Sequence, residues 1–247
     1  MRVLCLISYV PASTAGGSAL RSYNLLSRLA KRHEVHLLAS SDDLDQDRRR
    51  ASDLEDHAIQ ISLVPLSWVK DPPIIEKLRR LAQIWPYRAQ AFGSPPMRSS
   101  FRKLLVDWQP DVVHLDLLRM GWGVNEVDGA VPVVLDMHNV ESQRFRSEHR
   151  YKELSFRQRL FSKWEYLKLR YFEKRICSRA SWITSVTPQD KELLRSLAGH
   201  DRVTYVPSGV DTEYFPPMPI SNGSILIFAG SMFYYPNVDA VLYFYRE

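Results

Sequence analysis

The sequence predicts an α/β fold built on a doubly wound parallel sheet. Two observations carry this expectation. The strand-like segments are continuous runs of valine, isoleucine and leucine, as in strands buried on both faces. They also alternate with segments of helical periodicity, which is how parallel strands are connected.

The elements follow in order. RVLCLIS (2–8) is a first strand, and a loop leads to LRSYNLLSRLAKR (20–32). There Leu20, Tyr23, Leu25, Leu26 and Leu29 recur at helical spacing. EVHLLAS (34–40) is a second strand, followed by a charged helix near 43–56, and AIQISLV (58–64) is a third strand. Residues 65–108 form a longer excursion with proline breaks at 72–73 and 95–96 and two helical stretches. DVVHLD (111–116) and VPVVLDMH (131–138) are further strands, and a long helical region spans about 150–179. WITSVT (182–187), a helix PQDKELLRSL (188–197) and a last strand RVTYVP (202–207) complete the series.

The chain then changes character. PSGVDTEYFPPMPISNG (207–223) holds four prolines and two glycines and reads as a linker. A strand SILIFAG (224–230) and a helix from Asn237 follow. One strand and one helix are too few to bury a core of their own. The expected organisation is therefore a domain over 1–206, a linker over 207–223 and the first βα unit of a second, incomplete domain over 224–247. That last part is expected to pack poorly.

Composition narrows the class. Of 247 residues, 45% are hydrophobic and 25% charged, as in a globular protein. No apolar run approaches the roughly 18 residues of a membrane span. The N-terminal MRVLCLISYVPASTA imitates a short signal peptide, but a strand, loop and helix suit it better. Cys5 and Cys177 are the only cysteines. Two make neither a disulfide framework nor a zinc site, so a cytoplasmic setting is expected. A net charge of +5 fits an anionic partner without choosing among nucleotide, nucleic acid and lipid.

In doubly wound folds ligands sit at the carboxyl ends of the strands. Two candidate features lie there. Gly16 and Gly17, in the loop after the first strand, permit close approach by a ligand, and the helix behind them offers free N–H groups to an anion. A plain flexible turn is the alternative. Neither the dinucleotide fingerprint nor the P-loop is present. His138 ends the strand 131–137, where it can bond a sugar hydroxyl or stabilise charge, or simply cap the strand. His114 and Asp116 end the neighbouring strand and could contribute to the same rim, though ordinary solvated strand-end residues are the expectation.

Residues 144–175 carry eleven Lys/Arg and four Glu, a net charge of +7, with aromatics such as Trp164 and Tyr171 interleaved. Such a basic helix, with Arg157, Arg159 and Lys163, can lie on an anionic membrane, hold an anionic acceptor, or be a plain surface helix. No nucleic-acid-binding signature appears, so nucleic acid is not expected as a partner. Asp43-Leu44-Asp45 matches the D-x-D pattern of metal-dependent sugar transferases, but acids are common at helix starts, and no metal site is assigned.

Taken together, the motifs resemble glycosyltransferase family 4, sugar transferases of the GT-B fold. The resemblance covers essentially the whole chain. It rests on Gly16-Gly17 with Arg21 and the helix behind them, on PDVVHLD (110–116), LDMHNVES (135–142) and ASWITSVTPQDKELL (180–194). YVPSGVDTEYFPP (205–217) is similar to the family's interdomain hinge, with Ser208 where asparagine is commoner, and IFAGSMFYYPNVDA (227–240) looks like the start of its nucleotide-binding half.

The resemblance implies a Rossmann-like N-terminal half of a GT-B enzyme that moves a sugar from a nucleotide-sugar donor to a glycan or lipid-linked acceptor. Transfer would be retaining, with neither metal nor other cofactor. Gly16 and Gly17 would lie against the donor diphosphate or sugar, with Arg21 nearby. His138 would contact the donor sugar near the reacting carbon, and Asn139 and Glu141 would be rim contacts. The basic helix would hold the domain on the inner membrane face, in the setting of bacterial polysaccharide assembly. The family's basic diphosphate-binding residues and its E-x7-E element lie in its C-terminal domain and are missing from these 247 residues, which are therefore expected to transfer little or nothing by themselves. The rival readings are a non-catalytic module for an acceptor or membrane, and a GT-B sugar epimerase.

Overall fold

The computed structural model describes residues 1–14, 16–66, 83, 85–150, 155–217, 226–232 and 235–246. They form two compact units, Met1–Gly209 and Val210–Glu247.

The first unit is the expected doubly wound domain. Its strands are β1 (Arg2–Ile7), β2 (Glu34–Ser41), β3 (Gln60–Pro65), β4 (Val112–Asp116), β5 (Val133–Met137), β6 (Trp182–Ser185) and β7 (Val203–Tyr205). They pair in the order β3-β2-β1-β4-β5-β6-β7, all parallel. The helices are α1 (Gly17–Ala30), α2 (Leu44–Glu55), α3 (Tyr87–Phe92), α4 (Pro95–Asp107), α5 (Glu141–Arg150), α6 (Phe156–Arg179) and α7 (Pro188–Ala198), with a 3-10 helix at Leu118–Asn125. The strand order reverses between β1 and β4, which opens the crevice where such folds bind ligands.

Strand alternation sorts the core onto two faces. Leu4 and Leu6 of β1 join Leu115, Leu135, Phe101, Trp122 and Ile176 on one side. Val3, Cys5 and Ile7 join Leu37, Leu26 and Leu54 on the other. Helices cover both, so the continuous apolar strands are buried as their composition requires. Both cysteines are free and buried.

Local signals end the elements where the chain must turn. Asp43 Oδ1 accepts the amides of Asp45 and Gln46 and caps α2, which is what the Asp-Leu-Asp stretch does here. Ser155 and Gln158 form a capping box on α6, and Gly199 closes α7 at φ 73°.

The sequence reading placed two helical stretches in the excursion; α3 and α4 fill its second half. Residues 67–82 and 84 lie outside the described residues. In the second unit, α8 (Tyr235–Arg246) forms as expected. The strand expected at 224–230 does not form over its described residues, 226–230. A strand is held by its neighbours' hydrogen bonds, and none pairs here, so Leu226 and Ile227 stand 80% and 88% exposed.

Gly121 shows how closely the 3-10 helix meets α6. A Cβ at this position would lie 2.5 Å from Ile176 Cγ2. Ile176 is buried and β-branched, so it yields little. Gly121→Ala is expected to destabilise the domain by about 1–3 kcal/mol. In a double-mutant cycle read by denaturant unfolding, Ile176→Ala added to it should cost less than the sum of the two single changes.

Candidate functional site

β4 ends in a carboxylate, and β5 carries one next to its last residue. The strand register sets Asp116 beside Asp136, and Asp136 beside Thr184 of β6. Asp116 is fully buried and Asp136 nearly so. Two buried anions side by side repel each other unless cations balance them.

The sequence supplies those cations from two directions. His138 lies two residues beyond Asp136 and therefore on the same face of the chain. Its Nε2 sits 3.1 Å from Asp116 Oδ1 and 3.1 Å from Asp136 Oδ2. Arg21, one turn into α1, brings Nη2 to 3.4 Å from Asp136 Oδ1. The same guanidinium donates to the carbonyls of Val206 and Pro207, at 3.0 and 3.1 Å. Hydroxyls complete the shell. Tyr9 and Ser22 donate to Asp116 Oδ2, at 2.7 and 2.9 Å, and Thr184 donates to Asp136.

The electrostatics follow from this geometry. Burial works against a charged His138, but hydrogen bonds and charge from Asp116 and Asp136 overcome it and push the imidazole up to about 9. Burial likewise opposes a charged Asp136. His138, His114 and Thr184 outweigh it and hold the carboxyl well below the usual carboxylate range. At neutral pH the site is an imidazolium locked between two carboxylates. Nε2 is engaged by both, which leaves Nδ1 as the ring nitrogen able to face a ligand.

The backbone beside the site is strained. Leu117, directly after Asp116, has φ 67° and ψ 153°, a region of glycine. Its amide donates to the Asp136 carbonyl at 2.9 Å, so the same rung that aligns the carboxylates holds the strained turn.

Two helices start at this edge of the sheet, and their N-termini differ. Gly16 is the N-cap of α1, which has no side-chain cap and no acid in its first turn. Gly17 takes φ +55°, and a Cβ on either glycine would meet nothing within 4 Å. α5 is closed by the chain itself. Glu173 of α6 accepts the amides of Glu141 and Ser142, at 2.6 and 3.2 Å, and burial raises its carboxyl to about 7. An anion therefore finds open N–H groups at α1 and filled ones at α5.

The structure brings three of the sequence candidates to this edge: His138, Arg21 and the Gly16-Gly17 turn. Arg21 is committed to Asp136 and to the carbonyls before Gly209, with its side chain only 7% exposed. Asn139 is exposed, and Glu141 pairs with Arg144 at 2.6 Å. Arg157, Arg159 and Lys163 are exposed on α6, outside this cluster. Asp116 corrects the reading of a solvated strand end: it is wholly buried and bridges β4 to His138. Asp136, Tyr9, Ser22 and Thr184 were not singled out at all. The available signal was the aspartate at or next to the end of both adjacent strands, VVHLD and VVLDM.

Ligand atoms of His114, Asp116 and Asp136 lie within 4.8 Å of one another, a grouping that sequence spacing did not reveal. His138 and Arg21 already set cationic groups against these carboxylates, so the cluster is balanced by the protein's own charges.

The locked imidazolium has a pH signature. Its folded pKa lies above the ordinary histidine value near 6.5. The stabilisation is therefore full below about pH 6.5 and is lost as pH rises through about 9, by roughly 3 kcal/mol at most. Urea unfolding at pH 6 and above pH 9 should show this loss in the wild-type chain and not in His138→Gln. Any contribution from Glu173 is common to both chains and cancels.

Comparison with solved structures shows the same fold. Anabaena HepE with UDP and glucose matches at a TM-score of 0.54 and 14% identity, over 89% of this chain and 47% of that one. HepE with UDP-glucose gives a TM-score of 0.52 and 13% identity over the same shares. Sucrose-phosphate synthase from Thermosynechococcus elongatus gives 0.53 and 14%, over 88% and 51%. The chain thus spans about half the length of these proteins, and at such identities the likeness establishes the fold alone. No curated protein matches the sequence. The match that settles ancestry is to the family model: residues 15–214 fit Glycosyltransferase Family 4, and the chain belongs to that family.

Proposed function

We propose that this chain forms the acceptor-side half of a retaining, metal-independent glycosyltransferase, acting on a nucleotide-sugar donor and a glycan or lipid-linked acceptor. The observation that carries this reading is His138, held as an imidazolium between two buried carboxylates at the carboxyl edge of the sheet. Glycosyl transfer leaves negative charge on the departing nucleotide diphosphate, and fixed positive groups aimed at that charge lower the barrier. His138 is one such group, fixed before substrate arrives. The uncapped start of α1 at Gly16-Gly17 is the second, since its amides and dipole favour a phosphate.

HepE is solved with UDP-glucose, and a UDP-sugar is accordingly the donor we assign. In this reading Asp116 and Asp136 do not touch substrate. They keep the imidazole charged and fix its plane, while Arg21 ties Asp136 to the chain leaving β7. Asn139, exposed beside His138, is a rim contact for the sugar; Glu141 is held by Arg144 and contributes less.

The test is release of UDP from UDP-glucose by the full-length natural protein. His138→Gln keeps an N–H donor for the carboxylates and removes the positive charge. It is expected to lower turnover by about 10²–10³-fold, with an unchanged circular dichroism spectrum. Undiminished turnover in a folded His138→Gln protein would remove His138 from the mechanism.

A further inference from the structure

The outer face of α6 is built the wrong way round for water. Phe156, Leu160, Trp164, Leu167 and Tyr171 are 81, 62, 50, 50 and 53% exposed. Beneath them Glu165 and Lys168 are buried and paired at 2.6 Å. Only the last turns of the helix, with Phe172, Ile176 and Cys177 inward, pack as a surface helix should.

The topology explains where this face lies. α6 returns to the amino end of the sheet, where Ser181 bonds Val133. Glu173 caps α5 at the opposite, carboxyl end. The seventeen residues before Glu173 rise about 25 Å, past the carboxyl ends of the described strands, so the exposed face projects from the edge that carries His138.

Charge is arranged around the apolar face. At about 100° per residue, the five apolar side chains fall within an arc of roughly 80°. Arg159, Lys163 and Arg170 line one border; Arg157, Arg175 and Arg179 line the other, and all six are exposed. The helix's two acids, Glu165 and Glu173, are both buried. Of the helix's own side chains, its solvent face therefore carries apolar groups and cations and no carboxylate. A protein partner of mixed charge does not require this, whereas an anionic bilayer surface meets both parts of it. Apolar side chains enter the acyl boundary, Trp and Tyr sit at the headgroups, and long basic side chains reach phosphates on either side.

We propose that the outer face of α6 docks the protein on an anionic lipid surface by shallow insertion of Phe156, Leu160, Trp164, Leu167 and Tyr171. This goes beyond transfer chemistry and does not depend on it: vesicle binding can fail while transfer stands, and the reverse.

The test is co-sedimentation of the 247-residue chain with vesicles of phosphatidylglycerol and phosphatidylcholine, against phosphatidylcholine alone. Binding is expected on the anionic vesicles only. Leu160→Ser with Leu167→Ser, and separately Lys163→Glu with Arg170→Glu, should each weaken it by roughly tenfold or more. These are surface changes, and an unchanged melting curve confirms the fold. Brominated acyl chains should quench fluorescence in the wild-type chain more than in Trp164→Phe, which separates insertion from mere charge attraction. Equal binding to neutral vesicles, or variants that bind like wild type, would overturn the proposal. So would a dimer that the Leu160→Ser/Leu167→Ser change converts to monomer, since the face would then belong to a second copy.

Discussion

The buried carboxylate of Asp136 is the constraint on which the site depends. It is buried near the carboxyl end of β5, where an unbalanced charge costs several kcal/mol. Every group that relieves it comes from a different part of the fold: His138 from the end of its own strand, Thr184 from β6, Arg21 from α1. Satisfying one anion thus fixes the mutual placement of a strand end, a neighbouring strand and a helix. Asp116 repeats the arrangement on β4 through Tyr9 and Ser22. The Leu117 turn between the two carboxylates persists because this network over-determines it.

The same bonds explain why the two helix starts at this edge are not equivalent. At α5 a buried glutamate already meets the free amides. At α1 paired glycines leave them open, and Arg21, one turn on, is turned inward to Asp136. The edge thereby offers open amides at the α1 turn, beside a cluster in which His138 and Arg21 balance Asp116 and Asp136.

Much of this was legible in the sequence. Continuous apolar strands gave the parallel sheet, because burial on both faces leaves no polar alternation. His138 and the Gly16-Gly17 turn stood out because each is an unusual residue at a strand's carboxyl end. The carboxylate network was not legible. Pairing Asp116 with Asp136 needs the β4–β5 register, and Arg21 lies 115 residues from its partner. Sequence periodicity reports neighbours along one helix or strand, not partners across a sheet. The strand expected at 224–230 failed for a related reason: apolar composition permits a strand, but pairing makes one. On α6 the basic residues were visible at once, whereas the outward turn of the aromatics needed the fold, since the same pattern serves equally well as an inner face.

The reach of Arg21 has a consequence for how the domain comes together. Its bonds to Val206 and Pro207 span 185 and 186 residues of chain. During synthesis α1 emerges long before β7 exists, and its guanidinium has no native acceptor until β5 is made and none of the carbonyls until the domain is nearly complete. Contacts of such long range are slow to form, since the chain between them must already be ordered. The last strand is thereby tied to the first helix, and the backbone at Val206 and Pro207 gains these bonds only once the two ends of the domain have met.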